Sequence, residues 1–116
     1  MATFSKIALS GSTNGKNVKV VATASPGTTI HTAQSGTTNF DEVWLYACNT
    51  SSSDVKLTIE YGGTTNPDDQ IIVTITAQKG LFLIVPGLIL QNSLVIKAFA
   101  ATAHVIIIDG FVNRIS

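Results

Sequence analysis

Residues 40–63, FDEVWLYACNTSSSDVKLTIEYGG, constrain the fold more than any other stretch of the chain. With a period of two, Val43, Leu45 and Ala47 share one face, while Glu42, Trp44, Tyr46 and Cys48 share the other. A polar cluster, residues 49–54, interrupts the pattern. Alternation then resumes with Val55, Leu57, Ile59 and Tyr61 set against Lys56, Thr58 and Glu60. Two alternating runs split by a turn-forming cluster read as antiparallel strands. The first run is apolar on both faces, which predicts that both are covered. The second predicts one wet face, carrying Lys56, Thr58 and Glu60.

The rest of the chain reads as further strands. Residues 1–12 give a short alternating run, either a strand or an extended N-terminal arm. Asn14-Gly15 is a hairpin signal, because both central positions of a type I′ turn need positive φ. Strands are expected over residues 16–24, 28–33, 70–76, 81–85, 94–100, 105–109 and 111–115. The run 81–85 is apolar on both faces and is assigned a central or sandwiched position. Pro86-Gly87 breaks it before residues 88–90, and Gly110 is expected to bend or bulge the last strand. Nowhere do apolar residues recur at helical spacing. Roughly eight to ten strands with turn signals between them predict an all-β, antiparallel, jelly-roll-like sandwich, and 116 residues suffice for one domain, 1–116.

Composition narrows the function classes. Seven Lys and Arg balance seven Asp and Glu, and charged residues make up 12% of the chain, about half the usual share. The cations are scattered, so no phosphate-binding patch forms and nucleic acid is not an expected partner. Surfaces kept polar by Ser and Thr desolvate cheaply, which favours assembly. No signal peptide or membrane helix is expected: the longest apolar run, residues 81–90, is about half the necessary ~20 residues. A single cysteine makes no internal disulfide. Asn49-Thr50-Ser51 matches a glycosylation sequon but reads as turn chemistry.

Reactive motifs are not evident. A nucleophile needs a base held by a carboxylate, and the candidates are Cys48, His31, His104 and Asp109. Cys48 sits on an apolar face with no nearby cation, the setting of an inert thiol, and both histidines read as structural. Asn66, Asp68 and Asp69 place oxygen ligands on one loop but lack calcium-loop spacing. Gly11 to Lys16 approaches a phosphate loop, yet only three residues separate the glycines and Asn17 follows the lysine. No cofactor, metal or enzymatic activity is expected. Trp44 and Tyr46, two residues apart on one face, fit either a buried or interfacial role or a sugar-stacking platform. Trp44, Tyr46, Tyr61, Phe82, Phe99 and Phe111 are the candidate core or interface residues.

Five stretches, TTIHTA (28–33), DEVWLYACN (41–49), LTIEYGGTTNPDD (57–69), LVIKAFAATA (94–103) and DGFVNRI (109–115), carry a resemblance. The chain resembles the small structural proteins encoded among the virion genes of tailed bacteriophages, in particular capsid decoration (cement) proteins. The resemblance implies a homotrimer bound to the major capsid protein on the head surface, made in the host cytoplasm, without membrane or nucleic-acid contacts. It supplies no catalytic residues. The alternatives are another virion component (head fibre base, neck or tail piece, receptor-binding module) and a carbohydrate-binding module using Trp44 and Tyr46.

Overall fold

The computed structural model describes residues 3–116. Met1 and Ala2, the first part of the expected strand or arm, lie outside the described residues. Among the described residues nine strands form: β1 (Phe4–Ala8), β2 (Val18–Lys19), β3 (Thr28–Thr32), β4 (Phe40–Asn49), β5 (Val55–Tyr61), β6 (Gln70–Ile75), β7 (Phe82–Leu90), β8 (Val95–Ala100) and β9 (Ile106–Ile115). No helix occurs among the described residues, so none is long and apolar enough to cross a membrane.

The strands build two antiparallel sheets packed as a sandwich. One has the order β1-β9-β4-β7, with β2 pairing the same β9 beyond β1; the other is β3-β8-β5-β6. The pairings nest: β5 with β6, β4 with β7, β3 with β8, and β1 and β2 with β9. The two inner faces supply the core, with Val43, Leu45, Ala47, Ile106, Ile108 and Val112 from one sheet and Leu57, Ile59, Ile96 and Ala98 from the other, all closed to solvent. One parity of β4 is buried throughout, but the other, which was expected to be covered as well, is half-exposed.

The turns follow their residues. Asn14 and Gly15 take φ of 56° and 81°, and Lys16 N–H donates to the Thr13 carbonyl at 3.0 Å, closing the turn, but the hairpin expected there does not form, because β1 and β2 each pair with β9 and not with one another. Asn49, within the sequon, is fully buried. Its amide donates to the Ser53 and Ile75 carbonyls (2.7 and 2.9 Å) while its oxygen accepts from Ser51, so the side chain holds the β4–β5 turn.

Several further expectations are corrected. The wet face expected of β5 is wet only at Lys56: Thr58 and Glu60 are buried, and the 22–27 segment crosses that face and donates to Glu60 from Ser25 Oγ and Gly27 N. The strand read over residues 16–24 shortens to Val18–Lys19, since the chain leaves β9 there, and Ala22 accepts instead from Ala100 N of the other sheet. The runs read as 81–85 and 88–90 join into one strand, β7, from Phe82 to Leu90, and it lies at a sheet edge rather than centrally. Pro86 explains the position, because it has no N–H to give a second neighbour. The ladder with β4 shifts register twice, around Val43/Trp44 and Leu45/Tyr46, and Gly87 (φ 76°) sits in the first irregularity. The bend or bulge expected at Gly110 does not form: the runs read as 105–109 and 111–115 join into one strand, β9, whose register with β4 is unbroken. A β-carbon there would lie 2.0 Å from the Trp44 carbonyl oxygen, so only glycine lets β4 and β9 pair along ten residues.

Candidate functional site: an aromatic sheet face above a buried ion cluster

Register fixes which side chains meet on the outer face of the five-stranded sheet. Successive rows across β1, β9 and β4 are Phe4, Ile115, Phe40; then Lys6, Asn113, Glu42; then Ala8, Phe111, Trp44. Asp109 lies beside Tyr46, and Ile107 beside Cys48 with Lys19 of β2. From β7, Ile89, Pro86 and Leu83 stand opposite Glu42, Trp44 and Tyr46. Five of the chain's eight aromatic side chains (five Phe, two Tyr, one Trp) therefore share one face, which makes it the aromatic surface of the molecule.

The polar groups on this face are mostly engaged among themselves. Trp44 and Phe111 stack with centroids 6.1 Å apart and planes 14° from parallel. Lys6 Nζ lies 4.2 Å from the Phe111 ring centroid, a cation over a π face. Glu42 accepts from the Trp44 indole N–H (2.8 Å) and from Asn113 Nδ2 (2.9 Å), and these two bonds hold its carboxyl below the usual range. The Asp109 carboxylate accepts from the adjacent Gly110 N–H. Gly87 leaves room for the indole, since a β-carbon there would come within 2.8 Å of the Trp44 ring.

Of the six candidate aromatics, the structure brings together Trp44, Tyr46 and Phe111. Tyr61 packs on the core with its hydroxyl donating to the Leu88 carbonyl (3.0 Å), Phe82 points to the core side of β7, and Phe99 pairs with Thr58 on the far sheet. Phe4 and Phe40 were missed. Phe40 has the parity of Trp44 and was legible; Phe4 joins only through the β1–β9 pairing.

Beneath this face, at one end of the sandwich, lies a buried ion cluster. Asp41 of β4 is fully buried and accepts from Arg114 Nε and Nη2 (2.8 and 2.9 Å) and from His31 Nε2 (2.8 Å). Burial alone pushes the Asp41 carboxyl up, but the hydrogen bonds and charges of Arg114 and His31 outweigh it, and the net shift is downward. The Asp41 bond raises the Arg114 guanidinium in return, against its own partial burial. His31 Nδ1 accepts from the Ser10 backbone N–H (3.0 Å), which makes Nε2 the protonated nitrogen that donates to Asp41.

Ser, His and Asp thus converge, but not as a catalytic relay. The serine presents its backbone N–H to the ring, while its hydroxyl accepts from Thr32 N–H (2.7 Å), so nothing activates it as a nucleophile. His104 is exposed in a turn, remote in sequence and pairing from this cluster, and Cys48 stands half-exposed on the aromatic face. Among the described residues no three His, Cys, Asp or Glu side chains group around a common metal position. Asp69 accepts from Thr65 N–H, a loop bond, and Asp68 is exposed. A cleft of about 230 Å³ beside Gly62, Ser93 and Leu94 has Lys97 as its one ionisable wall. No protein-family model, curated protein or solved structure matches the chain.

Proposed function

We propose that this chain is a virion structural protein, a capsid decoration (cement) protein that trimerises on the head of a tailed phage and strengthens the shell against the major capsid protein. The observation that carries this reading is the outer face of the five-stranded sheet: broad, aromatic and net-neutral, with most of its polar groups already partnered. Such a face loses little on desolvation and gains from covering its rings, the balance expected of an assembly surface. The nested strand order supports the jelly-roll-like description, and the resemblance to phage structural proteins supplies the setting. A non-enzymatic role is part of the proposal, supported by His31, whose two ring nitrogens are both committed inside the fold. Three copies about an axis multiply weak contacts with the shell through avidity.

Light scattering on the purified protein, with empty heads added in a second arm, tests the proposal. A stable trimer that co-sediments with heads is the expected result. A monomer that ignores heads refutes decoration; a protein found at the neck or tail by microscopy of fractionated particles moves it to another virion position. The carbohydrate-binding alternative draws on Trp44 and Tyr46 standing on one half-exposed face. It competes poorly, because the indole N–H is bonded to Glu42 and the ring already stacks on Phe111. A glycan array without signal removes it.

A further inference from the structure

The edges of the two sheets differ in how they are closed. Strand β3 is covered along its free side by residues 10–12: Gly11 N–H donates to the Ile30 carbonyl (2.9 Å) and Thr32 N–H to Ser10 Oγ (2.7 Å). Pro86 and two register shifts break β7 as a template, and β1 carries Lys6. β6 has none of these protections. It ends the four-stranded sheet, pairing there with β5 alone and without a register shift, and the run 70–76, QIIVTIT, contains no charge, glycine or proline.

Ladder parity tells which backbone groups β6 leaves over. Tyr61 N–H donates to the Asp69 carbonyl (2.8 Å), so Ile71, Val73 and Ile75 bond to β5, while Gln70, Ile72 and Thr74 turn their N–H and C=O away from it. The Pro67 carbonyl takes Gln70 N–H (3.1 Å). Among the described residues no backbone group bonds the N–H or C=O of Ile72 and Thr74. The side chains are open in the same place. Ile72 is 54% exposed on the outer face, and Ile71 and Val73 pack on the core but stay only partly buried.

We infer that β6 binds β6 of a second copy, antiparallel about a two-fold axis at Ile72, so that two four-stranded sheets become continuous. The occupant of such an edge is an extended, uncharged strand, and the chain carries one in β6 itself. With Ile72 opposite Ile72 of the second copy, these two exchange both backbone bonds, and each Thr74 N–H meets the Gln70 carbonyl of the other copy. That register also sets Ile71 beside Val73 of the second copy, which covers all three open side chains at once. A slip of one residue would set free backbone groups against spent ones. Residues 70–74 at ~3.4 Å each give a ladder of about 17 Å, so the contact is weak and follows protein concentration. It goes beyond the assembly reading above and is independent of it, since a two-fold contact joins monomers, or trimers, in pairs and leaves the aromatic face free.

Exchanging charge at the axis tests this, read as mass by light scattering across a concentration series. Ile72→Lys and Ile72→Asp each set like charges opposite one another across the two-fold axis, at an exposed position whose N–H and C=O make no bond to β5. The expected result is a wild-type mass that doubles as concentration rises, each variant alone held at the undoubled mass, and a one-to-one mixture of the variants that doubles again. Wild-type protein that never doubles, variants that double as the wild type does, or a mixture that stays undoubled overturns the β6 contact, whatever the protein does on heads. If either variant melts unlike the wild type, amide exchange on the unaltered protein decides. Ile72 and Thr74 N–H should then exchange more slowly as concentration rises, and exchange at both that ignores concentration overturns the pairing.

Discussion

Asp41→Asn changes one buried oxygen to nitrogen and nothing in volume, so its cost isolates the ion cluster. Asp41 is fully buried and accepts three hydrogen bonds, two from Arg114 and one from His31. His31 cannot turn acceptor toward it, because Nδ1 is already the acceptor for Ser10 N–H. The new amide must therefore point a donor at a donor, and the Arg114 charge loses its counter-charge. Breaking one partner of a buried pair costs about 3–5 kcal/mol. Arg114 is one-third exposed and can turn its head to water, which places the cost at the low end, about 3 kcal/mol. For a domain of this size that lowers Tm by roughly 10–15 °C. Urea unfolding followed by Trp44 fluorescence is the assay, run as a cycle with Arg114→Met. The double variant should lose less than the sum of the singles, by about 1–3 kcal/mol. A loss below about 1 kcal/mol with additive singles would refute the claim that this cluster ties the end of the sandwich together.

Other outcomes follow from the same geometry. Gly110→Ala should be worse than Gly87→Ala, by ~2 kcal/mol or more, because its β-carbon meets the Trp44 backbone oxygen at 2.0 Å whereas Gly87's meets an indole edge at 2.8 Å; paired thermal melts decide it. Burial first, and the Asp41 charge second, raise the Tyr61 phenol above its ordinary value. Its stabilisation is thus whole below about pH 10 and lost as pH rises beyond it, and Tyr61→Phe should flatten that alkaline decline in a stability-pH profile. On the acid side the lowered Asp41 carboxyl contributes fully above about pH 3.9 and fades as pH falls through its depressed value; Asp41→Asn should lose that acid limb. Trp44→Ala should cost roughly 2 kcal/mol through lost stacking and packing and should reduce the oligomer mass. Unchanged melting and mass would instead make Trp44 a ligand-facing residue.

Periodicity alone determined the class of fold and most of its strands. Parity in residues 40–49 and 55–61 grouped Val43, Leu45 and Ala47 on one face and Leu57 and Ile59 on another, because side chains alternate on any strand whatever its neighbours, and the structure buries both sets while leaving the opposite face of residues 40–48 half-exposed. Asn14-Gly15 marked its turn for an equally local reason. Sheet membership was not local. That Phe4 and Phe111 join Trp44, that the 22–27 segment dries the Glu60 face, and that Asp41, His31 and Arg114 meet, all depend on pairings between distant residues. The position of β7 shows the limit best. Apolarity on both faces says only that both faces want cover, and the same signal arises from a central strand or from an edge that a second subunit can cover. Tertiary structure put β7 at the edge, where Pro86 needs no second neighbour and where Leu83, Leu88 and Ile89 stay exposed while Leu90 enters the core.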